Sequence, residues 1–207
     1  MTTRSKNDIV AISKSFSYLL RHGATKENLN ISEQGWVLVS DLMAHKNLTK
    51  FLLTLPDVEY VVSSNDKQRF ALQDIPELGG LCIRANQGHS LTSISVEMKQ
   101  VQKPEEIPLV LHGTNRKAWN SIKEQGLSKM GRQHIHFSQG LPGDSGIISG
   151  MRRECNVIIY IDVKKAMDAG IVFFISENGV VLSSGIDGII PPTFFQRVTD
   201  KHGNEIH

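Results

Sequence analysis

The sequence predicts an α+β chain made of two lobes, a helical one followed by a strand-rich one. Three observations carry that expectation. Apolar residues recur at helical spacing before residue 65, a Pro/Gly cluster interrupts them at "DIPELGG" (74–80), and short apolar runs bounded by Gly, Asn or Ser take over beyond it. The 207 residues are long enough for a sizeable core, and 40% hydrophobic with 21% charged residues is ordinary globular composition.

Taken in order, Ile9, Ile12, Phe16, Leu19 and Leu20 form the apolar stripe of an amphipathic helix over 8–22, with Gly23 as its stop. "GWVLVSDLMAHKNL" (35–48) predicts a short extended piece and a second helix with Ser40 as N-cap. "TKFLLTLPDVEYVVSSND" (49–66) is helical in pattern on both sides of Pro56, which starts a new helix better than it continues one. "KQRFALQ" (67–73) alternates and reads as a strand. Three helices and a short hairpin are most simply a winged-helix arrangement, and the linker at Pro76, Gly79 and Gly80 divides a lobe 1–78 from a lobe 79–207. In the second lobe "LCIRANQ", "LVLHGT", "HIHFS", "VIIYIDV", "IVFFIS" and "GVVLSSG" predict strands. "NRKAWNSIKEQGL" and "VKKAMDAGI" predict helices between them, the first with Trp119 and Ile122 on one face.

Several function classes are excluded at once. No apolar run reaches the length of a membrane span, and "MTTRSKNDIV" has no signal-peptide core, so an intracellular protein, cytoplasmic or nuclear, is expected. Cys82 and Cys155 are far apart and fit a reducing compartment. There is no H-x-x-x-H and no His/Cys cluster at zinc spacing; His134 and His136 share a strand face, where packing or surface roles outweigh a metal site, and no metal is expected. A net charge of +2 implies no broad polyanion-binding surface, although residues 1–26 carry five basic side chains against Asp8. On charge alone that is a solvated helix face. No Walker loop, G-x-G-x-x-G or G-x-S-x-G is present.

What remains are polar residues beside strands. His112, Gly113 and Thr114 follow an apolar run, where His and Thr offer hydrogen bonds and glycine lets a ligand approach the backbone. "IRANQGHS" (83–90), "GRQHIHFS" (131–138) and "SENGVVL" (176–182) have the same character. Each is ambiguous alone, as a turn with a satisfied histidine would look the same.

In this order "SYLLRHGA", "GWVLVSDL", "KQRFAL", "IRANQGHS", "LHGT", "GRQHIHFS", "GLPGDSGIISGMR" and "FFISENGVVL" resemble the NAD-dependent tRNA 2′-phosphotransferases, and "GLPGDSGIISGMR" resembles the eukaryotic branch. The similarity runs from about residue 11 to about residue 197. The resemblance implies a winged-helix RNA-binding lobe (1–78) and an NAD-binding lobe with the ADP-ribosyltransferase fold (79–207). It implies a reaction in which the 2′-phosphate of a spliced tRNA attacks the nicotinamide-bearing ribose of NAD, giving an ADP-ribosylated RNA 2′-phosphate. The ribose 2″-hydroxyl then attacks phosphorus, leaving 2′-hydroxyl RNA, nicotinamide and ADP-ribose 1″,2″-cyclic phosphate. NAD is consumed as a co-substrate, and a monomer suffices.

The family's essential Arg-His-Arg-Arg set maps onto Arg21, His22, Arg69 and Arg132. Its NAD pocket maps onto His112, Gly113 and Thr114, lined further by Gln87, Gly88, His89, Ser90, His134, His136 and Ser138. The physics agrees with the resemblance. A 2′-phosphate is already ionised, so its attack needs no strong base, while guanidiniums offset the repulsion between RNA phosphates and a pyrophosphate. His22 would orient ribose hydroxyls or protonate the departing 2′-oxygen. Val180 stands where other ADP-ribosyltransferases carry a glutamate, and Glu177 falls in the preceding turn. ADP-ribosyl transfer to a protein or a terminal nucleic-acid phosphate is the alternative enzyme, and a non-catalytic RNA-binding module the alternative without chemistry.

Overall fold

A computed structural model of the chain describes residues 4–141, 144, 151 and 154–206. Of "GLPGDSGIISGMR", only Gly140, Leu141, Asp144 and Met151 fall among them. The mixture of helix and sheet is that of an α+β protein, and the chain divides into two compact units, 1–97 and 98–207.

In the first unit, α1 (Lys6–Tyr18) starts where Ser5 Oγ accepts the Asp8 backbone N–H at 3.1 Å. It runs on to Gly23, where the sequence puts its end, but not as a regular α-helix. Its last residues wind into a π turn, Leu19–Gly23, and Ala24 is still helical. Gly23 is needed for closeness rather than for a stop: a Cβ there would lie 2.7 Å from the Tyr18 ring. β1 (Val37–Leu38) leads directly into α2 (Val39–Ala44), so Leu38, not Ser40, precedes the first turn. α3 (Lys46–Thr49) is one turn long.

Residues 51–54 are not helical. The second helix of that stretch, α4 (Leu55–Ser63), begins with Pro56 in its first turn, as Pro requires. The buried Asp57 carboxylate accepts from Thr54 N at 2.9 Å and Arg4 Nη2 at 2.8 Å, tying the N-terminal segment to the start of α4. β2 (Phe70–Ile75) and β3 (Gly80–Ala85) pair in register from Phe70↔Ala85 to Ile75↔Gly80, and β1 adds to β3.

The expected linker is therefore the connection of a hairpin. Pro76–Leu78 makes one tight turn, and Gly79 and Gly80 take φ of +99° and +131°. Because β3 pairs with β2 inside the first sheet, the division falls after Glu97 rather than after residue 78. Ile12, Phe16, Leu19 and Leu20 pack on Leu42, Leu48, Val58 and Ile83, and Phe16 meets Phe70 edge-on at 5.8 Å.

The second unit carries β4 (Lys99–Gln100), β5 (Leu111–Thr114), α5 (Arg116–Gln125), β6 (Leu127–Ser128) and β7 (Ile135–Phe137). They are followed by β8 (Val157–Ile161), α6 (Val163–Asp168), β9 (Phe174–Ile175), β10 (Val181–Ser183), β11 (Ile189–Ile190) and β12 (Phe195–Asp200). The strands form antiparallel sheets of order β4-β9-β10-β7 and β12-β8-β5, with β11-β6 as a separate pair. Leu111 and Ser138 bond to each other's backbone, joining β5 to the end of β7. Ile107, Trp119, Phe137, Ile159, Phe173 and Val181 fill the core between them. No helix among the described residues is long and apolar enough to cross a membrane.

Candidate functional site

The first unit holds Arg21, His22 and Arg69. The apolar side chains of Leu19 and Leu20 are wholly buried, so the π turn is anchored; of its next two residues His22 is exposed, whereas Arg21 is half-buried with its Nε and Nη2 shielded from solvent. Residues 86–90 follow β3 and dock on this turn. Ser90 N donates to Arg21 O at 3.0 Å, and Ser90 Oγ lies 2.9 Å from His22 Nδ1, which orients the ring. Gly88 takes φ of +89° between the buried Gln87 and His89. Ser90 thus stands beside His22, and Gln87 and His89 belong to the first unit, not to the second as the sequence mapping had them.

Arg69 lies just before β2 rather than within it. Its guanidinium is held: Nη1 donates to Asn65 Oδ1 at 3.0 Å and is 3.6 Å from Asp66 Oδ1. Asn65 Oδ1 also accepts the Arg69 backbone N–H, while Asn65 Nδ2 donates to Ser13 Oγ on α1. Below them Asn86 bonds Arg69 O and Gln68 O, closing the path from β3 back to β2. Asn65 belongs to none of the motifs the sequence displays. The signal that would have found it is an amide four residues before an arginine in a tight connection.

His22 and Arg69 line one groove of about 990 Å³ between α1 and the end of α4. Lys6 and Lys14 add positive charge to it against the carboxylate of Asp66, while Arg4, also on the lining, is paired with Asp57. Arg21 is not among the lining residues.

The second unit holds the rest. His112, Gly113 and Thr114 lie within β5, not past it. His112 Nδ1 donates to His136 O at 3.0 Å, which fixes the tautomer, and Nε2 makes no hydrogen bond among the described residues. Burial pushes the His112 imidazole below its usual value; the His136 carbonyl opposes this and the charge of Arg132 adds to it, so the ring is held neutral. Exposed Arg132 reaches His136 Nδ1 at 3.5 Å, and since a guanidinium only donates, that ring's Nδ1 is an acceptor. His134 packs edge-on against Phe174 at 6.0 Å, and burial lowers its basicity too.

Two expected pocket residues have structural reasons to be where they are. A Cβ on Gly113 would fall 2.3 Å from Met151 Cγ and 2.7 Å from Cys155 Sγ, so the chain's own side chains, not a ligand, fill that face. Ser138 is fully buried, with its hydroxyl donating to Gly140 O at 2.6 Å. Val180 is core, following a turn in which Ser176 Oγ donates to Val180 O and accepts its N–H. Among the described residues no His, Cys, Asp or Glu group could hold a metal. What this donor set fits is a hydroxyl-bearing anion: a neutral imidazole with an open acceptor, and the guanidinium of Arg132, which reaches the same His136 whose carbonyl holds that imidazole.

Known proteins have sequences similar to this chain's. Residues 7–185 match the family described as RNA 2′-phosphotransferase, Tpt1 / KptA family. The chain is 50% identical over 191 residues to tRNA 2′-phosphotransferase 1 of Danio rerio, covering 91% of this chain and 84% of that one. It is 37% identical over 205 residues to tRNA 2′-phosphotransferase of Saccharomyces cerevisiae (96% and 86%). With a probable RNA 2′-phosphotransferase of Nostoc punctiforme it shares 35% over 194 residues (94% and 99%).

Proposed function

This chain belongs to the RNA 2′-phosphotransferase, Tpt1 / KptA, family, and from that premise we propose that it removes the internal 2′-phosphate of spliced tRNA at the expense of NAD. The observation that carries the residue assignment is that His22 and Arg69, from separate segments, line one cationic groove of the first unit. Bound NAD would supply an electrophilic anomeric carbon and a neighbouring 2″-hydroxyl. The RNA 2′-phosphate oxygen forms a bond to that carbon as the bond to nicotinamide breaks, and no proton has to be removed first. In the second step the 2″-hydroxyl oxygen bonds to phosphorus, the bond from phosphorus to the RNA 2′-oxygen breaks, and the hydroxyl proton ends on that oxygen.

The chain's own residues account for the electrostatics. Arg69, already oriented by Asn65, meets phosphoryl oxygens without reorganising, which is what stabilises charge growing in the transition state. Arg21 and Arg132 supply further permanent charge for the phosphates. His22, oriented through Ser90, stands in the same groove as Arg69 and is the group that returns the proton to the 2′-oxygen or holds a ribose hydroxyl. His112 offers Nε2 to a ribose hydroxyl of NAD, because its Nδ1 proton is committed to His136 O. A single chain carries the whole set, so a monomer suffices.

The test is incubation with NAD and an RNA bearing one internal 2′-phosphate. Nicotinamide with ADP-ribose cyclic phosphate supports this reading. Transfer of ADP-ribose that stops on the RNA points to another ADP-ribosyltransferase, and RNA binding with NAD untouched leaves a binding module.

A further inference from the structure

Beyond His22 and Arg69, the groove has a composition their chemistry does not need. On α1, Lys6, Val10, Lys14 and Tyr18 follow one another at intervals of four, so they share one face, opposite the buried Ile12 and Phe16. Apolar surface lies open on this face. Val10 is 47% exposed and Tyr18 38%, and Tyr60 from α4, at 43%, lies across the groove. Large apolar side chains are left this exposed at a cost, and here they stand between cations. The basic surface also continues. Lys14 and Tyr18 border a second concavity of about 450 Å³, whose other lining includes Lys50 and Lys46, the latter paired with Glu27 at 2.9 Å.

Two tyrosines and a valine set among lysines along a groove suit single-stranded nucleic acid, with bases on the rings and phosphates on the ammonium groups. A duplex would present its phosphates and hide the base faces, leaving Tyr18, Tyr60 and Val10 without partners. We infer that the groove between α1 and α4 is a track for the unpaired nucleotides flanking the 2′-phosphate. Tyr60 and Tyr18 stack bases, Lys14 takes a backbone phosphate where the two concavities share their lining, and Lys50 takes the next one along. The substrate class is thereby narrowed to RNA whose 2′-phosphate lies in a loop or open strand. This assignment rests on the proposed phosphotransferase reading.

The test compares 2′-phosphorylated RNAs of two, four and eight nucleotides, and an eight-nucleotide strand closed into a duplex, with the full chain and NAD. The wild-type protein should gain about tenfold or more in kcat/KM from two to eight nucleotides and lose that gain on the duplex, since one stacked base is worth about that factor. Tyr60→Ala and Lys14→Ala should show deficits that grow with strand length. Tyr60→Phe should restore the gain, which separates stacking from a folding defect. For Lys14→Ala the dependence of kcat/KM on salt should flatten by about one phosphate contact. Equal turnover of all lengths by the wild type, equal deficits at every length, or a duplex used as well as the open strand each overturn the track. A groove that instead takes a protein or a second copy would give that length-independent result. No turnover of any 2′-phosphorylated RNA overturns the underlying reading, and the track with it.

Discussion

At the residue scale, Arg69 shows how a surface arginine becomes a fixed one. A free guanidinium spends side-chain entropy each time it meets a phosphate, whereas Asn65 has already restrained this one through both its backbone and Nη1. Arg69→Ala should lower turnover by about 10²–10³ and let ADP-ribosylated RNA accumulate, as expected of a group acting in the second step. Asn65→Ala should give the same accumulating species with a smaller loss, about tenfold, in kcat rather than KM. Loss of nicotinamide release in either variant contradicts this division of roles. His112 gives a second prediction. Its folded value lies below the ordinary 6.5, so the neutral ring's contribution to stability is present above that pH and declines as the pH falls below it. An imidazole NMR titration should find the Nδ1–H tautomer persisting below pH 6.5; protonation at or above it contradicts the burial argument.

At the scale of elements, the π turn and the strand β5 decide what the motif glycines are for. "LLRHG" was legible as a helix end because Leu19 and Leu20 continue the apolar stripe. The extra residue in the turn was not legible, since it reflects Ser90 docking on Arg21 O and the Tyr18 ring lying over Gly23. "LHGT" read as a strand followed by a ligand-facing turn, yet Gly113 lies inside the strand under Met151 and Cys155. Gly113→Ala should therefore destabilise the protein by about 1–3 kcal/mol in urea unfolding, the cost of overpacking. A variant with unchanged stability and only a raised KM for NAD would restore the ligand-approach explanation.

For the whole molecule, net charge is a poor guide to partner. The chain carries only +2, yet Lys6, Lys14 and Arg69 converge on one groove with one carboxylate among its lining, beside an Arg4 paired with Asp57. Rates with RNA should fall with salt in proportion to the few phosphates such a groove holds. A slope of about −2 to −3 in log kcat/KM against log salt corresponds to three or four contacts on a single strand. A slope near zero would place the RNA elsewhere. The division of the chain has the same lesson: "DIPELGG" carries every local mark of a linker, but Leu72↔Ile83 and its neighbours make it a hairpin.

By itself the sequence determined the helix stripes, most strand positions and the order of the two units, because periodicity is a local property of a chain; the residues proposed to bind phosphate and NAD follow from the resemblance of its motifs to a family. It also held the α1 face of Lys6, Val10, Lys14 and Tyr18, though nothing local told that face from a solvated one. The tertiary structure decided the rest: where the units divide, which residue orients Arg69, that Ser90 serves His22, and that Tyr60 and Tyr18 line one cationic groove. Those facts depend on pairings between residues far apart in the chain. Which distant partner a polar side chain meets is settled only when the cores of Phe16, Phe70 and Ile83, and of Phe137 and Ile159, close.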